Sequence, residues 1–415
     1  MAAGARTPDR RVVVTGIGII SASGHTLDQF WSNVVNGKSA AAPIQGFDAD
    51  NLPTKFAAEI TDFAVDRFTD FQKAHRYDRS VQFSLAAAAN AYKDAGLDGE
   101  CVDPARIGVI EGTTVSAMES ILKARASLIN SYKKIHPYNV VGGYFGEGSS
   151  AISISLKLRG HSMTYCSGCS SGADSIGYAK QIIVDDEADV MLAGGAEAIT
   201  ELLHSGFCKL GAMSSRDGNP QEAMRPFDIN RDGFLLGEGA AYLVLEELSH
   251  ALARRRPIYA ELVSHGRVSE AYHSTDPHPE GMGYQRAMQQ ALKKSGTPKE
   301  CIQYINAHAS ATPLNDPIES RAIISVFNGS AQKLQVSGSK PIFGHLMGAS
   351  GAMESVVTIL SIFHSEIPPS INIFSRDPKC TLDYVETRRP YPLEHALCLN
   401  AGFGGRYSCL YYQKC

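Results

Sequence analysis

The sequence lacks any apolar run approaching the ~20 residues of a membrane-spanning helix, which excludes a helical membrane protein. Its 39 basic residues are outnumbered by 43 acidic ones, so it carries no electrostatic footprint for nucleic acid. The opening "MAAGARTPDRRVVVTG" has no apolar core of a secretion signal, and the expected compartment is the cytoplasm. Nine cysteines, an odd number scattered along the chain, do not suit a disulfide framework. One C-x-x-C occurs, at Cys166 and Cys169, with no second pair and no His-x-His cluster to complete a zinc site, so no bound metal is expected. No appended carrier domain is expected either.

What is there is the composition of a globular protein with a large core, 44% hydrophobic and 20% charged over 415 residues. Short β-branched runs such as "RRVVVTGIGII", "RIGVIEGTT", "ADVMLAGGAEA" and "AAYLVLEEL" alternate with helical patterns such as "SVQFSLAAAANAYKDAG". This predicts an α/β architecture with a sheet buried on both faces. The segment "NPQEAMRPFDINRDGFLLGEG" is too irregular for helix or strand and reads as a large ordered loop.

The chain also echoes itself. "SLAAAANAYKDAG…RIGVIEGTT" shares its helix-then-strand layout with "GYQRAMQQALKKSG…QYINAHASA", and "SGCSSGADSIGYAKQII" is matched by "FGHLMGASGAMESVVTIL", with Gly172 opposite Gly348. "VMLAGGAEA" likewise finds "LCLNAGFGG". The expectation is a duplicated α/β unit, residues 1–256 and 257–415, stacked so that equivalent strand ends meet at the middle.

The C-x-x-C could be half of a metal site, a redox dithiol, or a structural cysteine beside a nucleophile. "HSMTYCSG" reads as a buried strand holding Cys166, and "SSGADSIGYAKQIIVDD" as a helix, which puts Cys169 at the strand-to-helix turn. A thiol there faces the positive end of a helix, so a lowered pKa is expected. His308 ends the strand "QYINAHAS", Lys340 closes the strand "QVSGSK", and His345 sits in the turn "FGHLMG" before the last long helix. The duplication directs these strand ends toward Cys169. One thiol with two imidazoles is a nucleophile with two neutral donors, which a dithiol oxidoreductase does not need.

With these motifs in place, nearly the whole chain resembles a β-ketoacyl-acyl carrier protein synthase, an elongating condensing enzyme of thiolase-like fold. The matching stretches are "VVVTGIGIISASG", "CSSGADSIGYA", "RPFDINRDGFLLGEGAA", "INAHASATPLNDPIE", "GSKPIFGHLMGASGAME" and "NAGFGGRYS". The resemblance implies five layers, α-β-α-β-α. It also implies Cys169 as the acyl-accepting nucleophile, with His308 and His345 holding the malonyl thioester during decarboxylation. The backbone N–H groups of Cys169 and Phe403 would form an oxyanion hole, with Phe403 as a gating aromatic. Lys340 and Glu354 would be an ion pair beside the histidines, Thr312 a phosphopantetheine contact and Val115 a lining of the acyl tunnel. The pantetheine arm belongs to the acyl carrier protein, and no tightly bound cofactor is implied. Cys166 becomes an incidental core residue. Where the family usually reads His-Gly-Thr-Gly/Ser-Thr, this chain reads "HASAT", with Ala309 and Ala311 flanking Ser310.

The closest match implied is to ketosynthase subunits of type II polyketide systems, by "CSSGADSIGYA" and "LDYVETRRP", with a housekeeping fatty-acid synthase as the alternative. A dimer is expected, with a chain-length-factor-like homologue slightly favoured over a second copy as partner. A non-catalytic chain-length-factor role is disfavoured because Cys169, His308 and His345 are all kept. A dinucleotide site at "TGIGIISASG" is disfavoured because Gly16, Gly18 and Gly24 do not space as G-x-G-x-x-G, and a tight turn at a strand end is the simpler reading.

Overall fold

The computed structural model describes residues 10–98, 102–139 and 141–415, so Cys101 lies outside the described residues. The strands of its large sheet are β1 (Val12–Ser21), β2 (Ile107–Gly112), β3 (Ser162–Tyr165), β4 (Val190–Glu197), β5 (Gly239–Glu247), β6 (Ala260–Ser269), β7 (Tyr304–Asn306), β8 (Gln335–Ser337), β9 (Asp383–Tyr384), β10 (His395–Gly402) and β11 (Arg406–Gln413). They form one sheet in the order β9-β8-β7-β10-β11-β6-β1-β5-β4-β2-β3. With the edge strand β9 set aside, β3-β2-β4-β5-β1 and β8-β7-β10-β11-β6, each read inward, repeat one pattern. In each, three neighbouring strands run parallel and the next two reverse in turn. The copies join antiparallel at β1 and β6 through Val13 with Glu261 and Val14 with Ala260.

The helices used below are α1 (Arg79–Asp94), α2 (Met118–Asn130), α3 (Glu147–Leu156), α4 (Ser171–Val184), α5 (Glu201–Leu210), α6 (Met282–Ser295), α7 (Asn315–Phe327), α8 (Lys340–Phe343) and α9 (Ser350–His364). Between the halves, α4 and α9 pack on each other, α4 against β2 and β4, and α9 against β10 and β5. α1 covers β1 and β5 from outside, and α6 covers β6 and β11. This is the five-layered thiolase-like arrangement. The middle layer explains the apolar character of α9, which is buried from Ser350 through Ile362 and has no solvent face. Glycine makes the close approach of α4 and α9 feasible: a Cβ on Gly172 would lie 2.9 Å from the Gly348 oxygen, and one on Gly351 2.6 Å from the Ala173 nitrogen.

Three expectations need correction. Gly16 and Gly18 lie inside β1, not at a turn, and a Cβ on either would strike the backbone of α1, so they exist for helix-on-sheet packing. Gly24 does form the turn after β1, by exchanging hydrogen bonds with Ser21. Lys340 does not close β8 but opens the short helix α8, because Gly338 and Ser339 already turn the chain. Cys166 is neither in a strand nor in the core. It follows the edge strand β3, whose outer side carries no neighbour in the sheet, and is exposed. The segment from Asn219 to Gly237 is the ordered loop expected, tied down by isolated bridges from Leu236 to His345 and Asp228 to Arg376.

Candidate active site

Cys169 occupies the turn into α4, buried, with Gly168 at φ +66° giving the chain its sharp reversal. The turn is stitched by Ser171, whose hydroxyl donates to the Gly168 oxygen at 2.6 Å and receives the Ser167 N–H at 2.9 Å. Gly402 brings β10 against it: a Cβ there would lie 3.0 Å from the Cys169 nitrogen. The thiol therefore lies within reach of the N–H groups of Phe403 and of Cys169 itself. Burial pushes the thiol pKa up to about 12, and the positive charge of Lys340 lowers it only in part. The expected lowering does not hold in the resting protein, because loss of water around a buried sulfur outweighs the helix end.

His308 and His345 stand edge to face, ring centroids 5.6 Å apart. On His308, Nδ1 accepts the Ala401 N–H at 3.3 Å and faces the Lys340 ammonium at 3.2 Å, which leaves the proton on Nε2. On His345, Nδ1 pairs with the Ser350 hydroxyl at 2.7 Å. Burial first, then the nearby Lys340 charge, holds both imidazoles well below their ordinary pKa, so both are neutral. A neutral imidazole keeps one N–H, which can donate a hydrogen bond to an oxyanion.

Lys340 and Glu354 form an ion pair with both side chains fully enclosed. Lys340 also donates to the His308 carbonyl, and Asn400 donates to the other Glu354 oxygen. Burial raises the Glu354 pKa to about 7 against the pull of Lys340. The pair thus touches His308 directly and orients it.

A cavity of about 80 Å³ is lined by Cys169, His308, His345, Ser310, Thr312 and Phe403 among others. The structure so brings together the predicted thiol, both imidazoles, the gating aromatic and Thr312. It does not bring in Val115, which is half-buried on the loop after β2 and donates its N–H to Glu197.

Several supporting residues escaped the sequence reading although they sit inside the quoted motifs. Glu319 accepts the N–H groups of His308 at 2.7 Å and Ala309 at 2.9 Å. Asp316 accepts that of Ala311 at 3.1 Å. Arg231 donates to the carbonyls of Thr312 and Pro313. The spacing of Asp316 and Glu319 in "NDPIE", on one face of α7, was the available signal. Phe234 packs edge-on to His345 at 5.0 Å, and Phe207 of α5 contacts both Phe234 and Phe403.

Comparison with known proteins bears on this constellation. Residues 9–251 match the beta-ketoacyl synthase N-terminal domain, and residues 259–374 match the beta-ketoacyl synthase C-terminal domain. The chain belongs to the β-ketoacyl synthase family. The synthase is 39% identical over 399 residues to 3-oxoacyl-[acyl-carrier-protein] synthase 2 of Coxiella burnetii, covering 95% of this chain and 96% of that one. It is 38% identical over 408 residues to the same-named protein of Synechocystis sp., covering 98% of each. Among solved structures, the ishigamide ketosynthase/chain length factor superposes with a TM-score of 0.91 at 31% identity. A type II polyketide ketosynthase in complex with its acyl carrier protein superposes with 0.90 at 33%. Both matches cover 98% of this chain and 100% of the other. The synthase is an acyltransferase that performs β-ketoacyl-acyl carrier protein condensation.

Proposed function

We propose that the synthase elongates acyl chains on acyl carrier protein as a 3-oxoacyl-[acyl-carrier-protein] synthase of fatty-acid synthesis, in the cytoplasm. The observation that carries the reading is one cavity holding a buried thiol and two neutral imidazoles. The pathway rests on the names of the curated relatives.

In the first half-reaction the Cys169 sulfur attacks the thioester carbonyl of an acyl-pantetheine. The N–H groups of Cys169 and Phe403 donate hydrogen bonds to the developing oxyanion, the pantetheine sulfur leaves, and the thiol proton goes with it. A preorganised donor at such a position contributes about 3 kcal/mol to the transition state. In the second, the malonyl thioester oxygen lies between His308 and His345. Its carboxylate bond breaks to release carbon dioxide, and the enolate carbon bonds to the acyl carbon as the bond to Cys169 breaks. Thr312 contacts the pantetheine arm, which the carrier supplies, and the protein itself holds no cofactor for these steps. Val115 lines the acyl passage beyond Cys169. Support comes from Ser171, whose hydroxyl, at the cysteine turn, also lies 3.1 Å from the Thr113 oxygen at the start of the Val115 loop.

The synthase acts as a dimer. Support lies in the open edge of β3 and in exposed Ile129, Tyr132, Tyr138, Tyr144 and Ile154 around α2 and α3. A second copy of this chain is the partner in fatty-acid elongation. Type II polyketide elongation with a chain-length-factor-like partner is the second reading, favoured by the sequence motifs and by the structural relatives. Native mass spectrometry and turnover with saturated acyl carriers separate the two. A homodimer that extends saturated chains supports the first, and activity only after co-expression with a homologue supports the second.

A further inference from the structure

The turn that follows His308 is strained in an unusual way. Ala309 has φ +46° and Ala311 φ +60°, both in the left-handed region where a side chain is unfavourable, and Ser310 stands between them. Hydrogen bonds grip the turn at its two ends. Glu319 takes the N–H groups of His308 and Ala309, while Asp316 takes that of Ala311 and Arg231 holds the Thr312 and Pro313 carbonyls.

Both methyl groups are fully buried. That of Ala309 fills space left by Gly338, whose own Cβ would lie only 2.4 Å from it. That of Ala311 belongs to the apolar cluster containing Cys169, Phe234 and Met347. Ser310 itself faces the cavity, and its hydroxyl lies 2.9 Å from that of Thr312, which lines the same cavity.

We propose that Ala309 and Ala311 are positioning residues: their two methyls immobilise the Ser310 and Thr312 hydroxyl pair that contacts the thioester-bearing arm of the substrate. A β-branched residue at the centre of such a turn would stiffen it through its own χ1. Here the central residue is an unbranched serine, and the stiffness comes from the flanking positions instead. Glycine at those positions would relieve the strain but release the turn to many conformations. The inference rests on the proposed use of this cavity for a carrier-bound thioester.

The test is steady-state kinetics with malonyl- and acyl-carrier proteins on Ala309→Gly, Ala311→Gly and the double variant, after mass spectrometry has shown acyl loading of wild-type Cys169. Failure of that loading would sink the proposed function itself, separately from this inference. Relief of strain should leave the melting temperature unchanged or raised. KM for malonyl carrier should rise on the order of tenfold in the double variant, with intermediate values in the singles. Adding Ser310→Thr to the double variant should restore KM to within about twofold, since a branched centre replaces the lost constraint. An unchanged KM in the double variant overturns the proposal. So does failure of Ser310→Thr to restore it, because a purely space-filling role would move stability and could not be repaired from the central position.

Discussion

The Lys340 ammonium lies 3.2 Å from Nδ1 of His308 while its ion-pair partner Glu354 is fully enclosed. Burial first, and then a charge so placed, keeps His308 neutral, with Nδ1 turned to Lys340 and the proton on Nε2. Lys340→Met should therefore act twice. It strands the Glu354 carboxylate, which costs about 3–5 kcal/mol of stability by chemical denaturation, and it frees the His308 ring. Lys340→Met with Glu354→Leu should recover most of the stability but not the decarboxylation rate. Recovery of both would reduce the pair to a structural one.

In the proposed mechanism Cys169 and the histidines serve different half-reactions. Cys169→Ala should abolish the acyl-enzyme adduct and retain malonyl decarboxylation, whereas His308→Ala should lower decarboxylation by about 10²–10³. Mass spectrometry of the acylated protein and release of labelled carbon dioxide read the two outcomes. An acyl adduct surviving in Cys169→Ala would show that another residue is the nucleophile.

The raised thiol pKa of about 12 has a sign that alkylation can check. With the resting thiol protonated at neutral pH, iodoacetamide inactivation should climb about tenfold per pH unit from about pH 7 to 10, following the thiolate fraction. A plateau reached near neutrality would show that the helix end dominates after all, as the sequence alone suggested.

Much of this site was legible in the sequence because the chemistry sits at strand ends that the internal repeat predicts. Cys169, His308 and His345 fall where the two copies of the α/β unit converge, and the helix-then-strand order of each copy is readable from periodicity. Burial was not legible. The same residues that place Cys169 before a helix also enclose it, and only the packed structure shows that desolvation wins. The edge position of β3 was hidden for a related reason: whether a strand has one neighbour or two depends on the order of the whole sheet. The grip of Glu319 and Asp316 on the His308 turn was visible as a spacing but had no partner until the chain was folded.

Cys166 is exposed, and its thiol donates to the Thr114 carbonyl at 3.5 Å. Cys166→Ser should keep most of the condensing activity, as measured by product formation. Complete loss there would revive a dithiol role for the C-x-x-C pair.

The central claim is most directly tested by incubating the pure protein with acyl and malonyl carrier proteins and weighing protein and products. The account predicts an acyl adduct on the peptide containing Cys169, followed by a carrier-bound β-ketoacyl chain two carbons longer. Carbon dioxide release with no adduct on Cys169 and no lengthened chain would contradict it.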